Sequence, residues 1–460
     1  MSLSEPMVMR DIVVSNIIVV PFRYIPNEKQ LEVYESIDIQ IEEIGDSEDI
    51  RVRDLPKSRV FENIYKKFGA PIKGDILLTS VGTLGVPYLV KKDDKFYFKD
   101  GNLTWFKNFN NIINNCFLYY WLRSEIAKIK FDEVTIGSTQ KALTIVALKS
   151  IEIHLPPLKI QNNIVKILDS LEGKLINNRK TNETLEKLAQ ALFKSWFVDF
   201  DPVKAKAKLK EEDGNLDSIA KELDMSKEIL ELFPDEFEES RVGLIPKGWE
   251  VTKLGDISEK ITKGTTPSKK DILKISNEEE DVIPFLKVKD ISITGEINKQ
   301  NLEFIAKSIH LGVLKRSILK ESDILFSIAG TIGRIAIVDK NLTNANTNQA
   351  IGIIRLSEVN KHLGLVWLSL KSDKVQHDIN SKLVQGVQAN ASLTNLRDIS
   401  IIIPTDNLLL KWNFIVVNLM KALRKNREQS SNLTELRDSL LPKLLSGEIT
   451  IEKTGINIDE

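Results

Sequence analysis

The chain has 460 residues, of which 42% are hydrophobic and 28% charged, with a formal net charge of −1. One ordinary core does not organise that length, so two or more domains are expected; no apolar run reaches the roughly 18 residues of a membrane span. The opening "MSLSEPMVMRDIVV" has no basic stretch followed by an apolar one, so no signal peptide is expected, and Cys116 as the only cysteine excludes an intrachain disulfide and fits a reducing cytoplasm.

The near-neutral total hides an uneven distribution. Residues 1–50 carry 3 basic and 11 acidic side chains, residues 51–99 carry 11 and 5, and residues 246–404 carry 22 and 18. A neutral chain can still present a basic face, so nucleic acid is permitted as a partner.

In chain order, residues 1–157 mix short β-rich runs ("DILLTSV", "SIEIHL") with a helical run, "NIINNCFLYYWLRSEIAKI". This predicts an α/β (α+β) globular domain with glycine turns between its elements. Residues 158–200 carry an apolar 4,3 rhythm through Ile160, Ile164, Ile167 and Leu171, a polar middle at Lys174, Asn178 and Thr181, and then Leu185, Leu188 and Leu192. Such heptads predict a helix of about 40 residues, roughly 60 Å long. Residues 201–245 are rich in charge and read as an exposed connector with a short helix.

Residues 246–404 repeat the first domain. "KGDILLTSVGTLG" (Lys73–Gly85) returns 248 positions later as "ESDILFSIAGTIG" (Glu321–Gly333), and "GSTQKALTIVALKSIEIHLPP" (Gly137–Pro157) returns as "GVQANASLTNLRDISIIIP" (Gly386–Pro404). A period this long marks two domain-sized units, not a solenoid. Residues 405–447 repeat the long helix, with Trp412, Ile415, Leu419, Ala422, Asn426, Gln429, Leu433, Leu436 and Leu440 in heptad positions. Each stripe is too long to bury on one small domain, so the two helices are expected to pack on each other. Residues 448–460 form a tail.

No phosphate loop, dinucleotide fingerprint or Asp/Asn-Pro-Pro-aromatic motif occurs in the chain. His154, His310, His362 and His377 lack metal-ligand spacing and read as surface or core residues. The pattern points to a binding or assembly subunit and not to an enzyme.

An ordered set of motifs carries a family resemblance: "GSTQKALTI" (Gly137–Ile145), "ALFKSWFVDFDPV" (Ala191–Val203), "GLIPKGWEVTKLGDI" (Gly243–Ile257), "GTIG" with "NTNQAIG" (Asn346–Gly352), and "LLPKLLSGEI" (Leu440–Ile449). Together these resemble the specificity (S) subunit of type I restriction–modification systems over nearly the whole chain. The first domain departs from the pattern, opening with "VMRDI" (Val8–Ile12) and no tryptophan segment.

The resemblance implies two similar target-recognition domains, each reading one half of a split, asymmetric site in double-stranded DNA. The two long helices would form an antiparallel coiled coil that sets the gap and docks two methylation subunits, with two restriction subunits completing the complex. S-adenosylmethionine and ATP would then sit on those partners, and the chain itself would hold no cofactor, no metal and no membrane. Two other readings stay open: a methylation-only or anti-phage scaffold without a restriction partner, and a coiled-coil scaffold that does not bind DNA.

Phosphates favour Lys and Arg; base edges favour Arg, Asn, Gln, Ser and Thr. The first-domain candidates are Arg51, Arg53, Lys57, Arg59, Thr83, Thr139 and Gln140. The second-domain candidates are Lys263, Thr265, Thr266, Ser268, Lys269, Thr331, Arg334, Asn346 and Gln388. Asn178 and Asn426, one repeat apart, are expected to lock the coiled-coil register as a buried polar pair.

Overall fold

A computed structural model describes residues 7–8, 71–92, 94, 103–135, 137, 141–212, 215–268, 281–299, 301–384 and 391–449. The chain forms two compact units, residues 1–178 with 427–460, and residues 179–426.

In the first unit, strand Ile76–Thr79 lies between Pro87–Leu89 and Leu103–Phe106 in an antiparallel sheet. Its apolar run does not alternate because both faces are covered. Ile76 and Leu78 join Phe106, Phe117 and Leu122 on one side, and Leu77 joins Trp105 and Val90 on the other. Helices Asn115–Arg123, Glu125–Val134 and Ile145–Ser150 follow. Asn114, Ser124 and Thr144 cap them, each side-chain oxygen accepting from first-turn amides. Glu152–Ile153 pairs with Met7–Val8.

The second unit builds the same frame. Strand Ile324–Ser327 pairs with Ile335–Ile337 and Ile351–Leu356, and Ser258–Lys263 extends the sheet beyond Ile351–Leu356. Helices Val359–Lys371, Asp373–Val384 and Leu393–Arg397 follow, and Ser400–Ile403 pairs with Glu250–Lys253. A further sheet of the second unit joins Glu303–Ala306, Val282–Leu286 and Asn346–Thr347.

The correspondence extends to individual hydrogen bonds. In the first copy Gly85 N donates to Thr79 O (2.8 Å), and Val86 N donates to the Thr79 hydroxyl (2.9 Å). In the second, Gly333 N donates to Ser327 O (3.0 Å), and Arg334 N donates to the Ser327 hydroxyl (2.7 Å). Gly82, Gly85, Gly330 and Gly333 all have positive φ, which is why the loop reads Gly-Thr-apolar-Gly twice. The hydroxyl and the two glycines are thus demanded by main-chain geometry.

The heptad segments form helices Leu158–Phe197 and Asp406–Leu445, 40 residues each. Within the first unit they run antiparallel: the Arg437 guanidinium meets the Glu172 carboxylate at 2.9 Å, and Asn178 donates to Gln429 at 3.0 Å. They also run antiparallel within the second unit, where Asn426 donates to Asn182 (2.9 Å) and the Trp196 and Trp412 rings lie 5.2 Å apart. Each helix is tied to its preceding domain by one buried amide. Gln161 accepts from Asn114 N (2.8 Å) and donates to Ile112 O and Pro156 O. Asn413 accepts from Gly364 N (2.9 Å) and donates to Asn360 O.

Two expectations change. Leu188 and Leu436, assigned to the helix seam, are both 45% exposed, and the inward stripe runs through Asn182, Leu185, Ala189 and Phe193 instead. A straight 3.6-residue helix drifts from a strict seven-residue repeat, which carries the stripe round by one position. The segment 201–245 is also more than an exposed connector. It forms helices Asp201–Glu212, Leu216–Glu222 and Lys227–Leu230, and Val203 on the first of them and Phe233 in the turn after the last enter the core of the second unit with Trp196, Trp249 and Trp412.

Candidate nucleic-acid interface

The second unit gathers polar side chains where strand Ser258–Lys263 ends. Gly264 passes so close to the next segment that a Cβ there would lie 2.0 Å from Thr347 O and 2.2 Å from Asn348 O. Only glycine fits, and this close passage carries the following residues alongside Thr347–Gln349. Thr265 N donates to Thr347 O (3.2 Å), and the Thr266 hydroxyl hydrogen-bonds the exposed Gln349 side chain. From the 3-10 turn Lys315–Ser317, Arg316 donates to the Thr265 hydroxyl (2.7 Å), and Lys260 donates to Arg316 O (2.8 Å). Lys263 and Ser268 are exposed on the same strand–loop segment.

The result is a surface cluster of cations and hydroxyls with one exposed carboxamide. Cations and hydroxyls suit phosphates, and a glutamine amide can bond adenine in two places. Among the described residues no group of His, Cys, Asp or Glu could hold a metal ion. No helix there is long and apolar enough to cross a membrane.

The family model of the type I restriction modification DNA specificity domain matches residues 23–187 and again 246–407. The chain belongs to this family. It is 29% identical over 413 residues to the specificity subunit of type I restriction enzyme HindI from Haemophilus influenzae, covering 82% of this chain and 87% of that one. It is 29% identical over 393 residues to the MjaIX specificity subunit from Methanocaldococcus jannaschii, covering 83% and 79%. In fold it resembles the crystal structure of the type I restriction–modification S subunit from M. genitalium, with a TM-score of 0.50 and 19% identity over 81% of this chain and 83% of that one.

Within this specificity-domain frame, the structure brings Lys263, Thr265 and Thr266 together, with Ser268 next in the chain. It adds Arg316 and Gln349, which sequence reasoning missed. Both lie far along the chain from those candidates, which belong to the sequence run "TKGTTPSKK" (Thr262–Lys270), and only the passage at Gly264 joins them. Gln349 had one available signal, its place inside "NTNQAIG".

Two candidates need correction. Asn346 is fully buried, and its amide is consumed by Ser317, His310 and Leu314 O, so it has no free edge to offer a base. Arg334 turns inward, donating to Ile291 O (2.6 Å) and Val288 O (3.4 Å), and so clamps a neighbouring loop. Thr331 and its repeat partner Thr83 are exposed on the equivalent glycine loops. Arg51, Arg53, Lys57, Arg59, Thr139, Gln140, Lys269 and Gln388 lie outside the described residues.

Asn178 is buried and donates to Gln429 and Ser430, while Asn426 donates to Asn182. The pairs Asn178–Ser430 and Asn182–Asn426 are images of each other under the 248-residue shift. Each is offset by four residues from the pairing of equals that the sequence suggested.

Proposed function

We propose that this chain is the non-catalytic, DNA-reading subunit of a type I restriction–modification complex, each specificity domain reading one half of a bipartite, asymmetric site. The observation that carries the reading is the doubled frame. Two domains repeat the same strand register and loop hydrogen bonds at a constant shift, and each leads into a 40-residue helix. A duplex has two similar approaches related by a twofold axis, so two similar readers on antiparallel helices suit two half-sites. The helices set the gap and dock two methylation subunits, and two restriction subunits complete the assembly. S-adenosylmethionine and ATP belong to those partners, and the complex works in the cytoplasm.

The test is selection from a pool of random duplexes by the full chain, followed by exchange of residues 246–404 for the corresponding domain of a relative. The expected result is a split motif in which the exchange alters one half alone. A motif changed in both halves, or no sequence preference at all, would overturn the reading.

A further inference from the structure

Behind the polar cluster of the second unit lies a buried trio that the DNA-reading proposal does not use. His310 is 2% exposed, and Ser317 and Asn346 are fully buried. Asn346 Oδ1 accepts from Thr347 N (2.9 Å) and from the Ser317 hydroxyl (2.7 Å). A backbone N–H can only donate, so the atom facing it is the amide oxygen. The Asn346 nitrogen therefore faces Leu314 O (3.1 Å) and His310 Nδ1 (3.1 Å). Both of its hydrogens are then spent, and His310 Nδ1 has to accept. The imidazole is held neutral with its proton on Nε2.

The trio meets the outer cluster at the Lys315–Ser317 turn, where Ser317 adjoins Arg316, and at Thr347. Thr347 is fixed on three sides: its N–H by Asn346, its hydroxyl by Leu286 O (3.0 Å), and its carbonyl by Thr265 N (3.2 Å). Two residues on, Gln349 meets Thr266. We propose that Asn346 and His310 are positioning residues that hold the Thr347–Gln349 segment in its reading position, and that protonation of His310 releases it. This inference rests on the DNA-reading proposal.

An imidazolium would set an N–H against the amide N–H of Asn346. Burial already pushes the pKa of His310 below the usual histidine value. Nearby charges are engaged elsewhere: Lys307 on the same helix with Asp281, Arg316 on the next turn with Thr265, and Lys287 and Lys289 with Glu303. The neutral form is the one the fold favours, so the stabilisation is present above pH about 6.5 and is lost as pH falls through the lower folded value.

The device belongs to one reader. The 248-residue shift holds on both sides of the position, at Pro87–Leu89 against Ile335–Ile337 and at Leu103–Phe106 against Ile351–Leu356. At the 248-residue shift the sequence has Phe98 against Asn346, and a phenylalanine side chain cannot make these bonds. Acid should therefore weaken the half-site read by the second unit and spare the other.

The experiment is random-duplex selection by the full chain at about pH 7.5 and about pH 5.5, read as base preference at each half-site. For the wild type, preference in the second unit's half should fall at the lower pH, with the first half unchanged; a second half that keeps its full preference in acid would overturn the proposal. His310→Gln keeps an acceptor that does not titrate, so it should retain both halves and lose the acid effect. His310→Leu should lose the second half at both pH values. His362, also buried in this unit, is the control: His362→Gln should leave the acid effect in place. If acid weakens both halves equally, if His310→Gln stays acid-sensitive, or if His362→Gln removes the effect, the positioning role is wrong while the reading proposal stands. A wild-type chain that selects no sequence overturns both.

Discussion

The two copies of the recognition frame share their main-chain hydrogen bonds but differ in how they satisfy the same buried carboxylate. In the first, Asp75 is capped by Ile72 N (3.0 Å) and by the Trp105 indole N–H (2.9 Å), both on the same carboxylate oxygen. In the second, Asp323 is capped by Lys320 N (2.8 Å) and is gripped through both oxygens by Arg355 at 2.8 and 2.6 Å. Arg355 stands where the first copy has Lys107, which rests on the Trp105 ring at 4.1 Å. The helix ends differ in the same manner. Phe193, Trp196 and Phe197 are buried in the second unit, and their repeat partners Leu441, Leu444 and Leu445 in the first. The backbone frame thus fixes where a carboxylate or an apolar wedge is needed, and leaves open which side chains supply it.

That contrast can be broken by experiment, and packing should give the largest effect. Trp412 touches Phe193, Trp196 and Phe197, with ring centroids 6.2, 5.2 and 4.7 Å away, while its repeat partner Ile164 is a buried aliphatic side chain in the core of the first unit. Trp412→Ala should cost about 3–5 kcal/mol and Ile164→Ala about 2–3 kcal/mol, read from denaturant unfolding of the full chain. Equal costs would mean that neither the larger volume of the indole nor its ring contacts add stability over the aliphatic side chain.

The carboxylates come next. Asp323→Asn sets an amide N–H against Arg355 and strands a guanidinium that is 12% exposed, for roughly 3 kcal/mol. Asp75→Asn should cost less than about 1 kcal/mol at neutral pH, because one amide oxygen can take over both bonds. Burial, the larger cause, holds the Asp75 carboxyl above its usual range. Its contribution is therefore full below the unfolded value and is lost as pH rises through the folded one. Asp75→Asn should thus look worse in acid than at pH 7. A D75N cost that matched D323N would show the two sites to be energetically alike, and one that grew with pH would contradict the effect of burial on Asp75.

Smaller effects are expected at the surface. Gln349→Ala should remove about 1–3 kcal/mol of base discrimination within the second unit's half-site only. Arg316→Ala should lower the log–log salt slope of binding by about 0.9 without changing the selected sequence. If Arg316→Ala instead altered the sequence, the arginine would be a base reader and not a phosphate contact.

Much of the frame was legible in the sequence because its requirements are local. Positive φ asks for glycine at 82, 85, 330 and 333, and the loop asks for a hydroxyl at 79 and 327. The long helices were legible from their periodicity. The readers were legible only as runs. "TKGTTPSKK" holds Lys263, Thr265 and Thr266 side by side, but no local signal shows that Arg316 reaches Thr265 or that Gly264 lies under Thr347. Asn346 and Arg334 were misread because a polar side chain in a loop looks the same in sequence whether it faces solvent or a buried carbonyl. The exposure of Leu188 and Leu436 was hidden for a related reason: a heptad count fixes spacing, while the partner surface fixes phase.

The division of the chain at residues 178 and 427 has a consequence for the order of synthesis. Residues 179–426 are one unbroken stretch, so the second unit can close its core as soon as Leu423 clears the ribosome. The first unit begins earlier and finishes later, because Ile164, Ile167 and Leu168 await Leu441, Leu444 and Leu445 from the far end of the chain. During elongation, at about 5–20 residues per second, that apolar strip stays open for roughly ten seconds or more. A premature stop near residue 426 would release a chain with its later half complete and its earlier half unsealed, prone to aggregation and open to quality-control proteases.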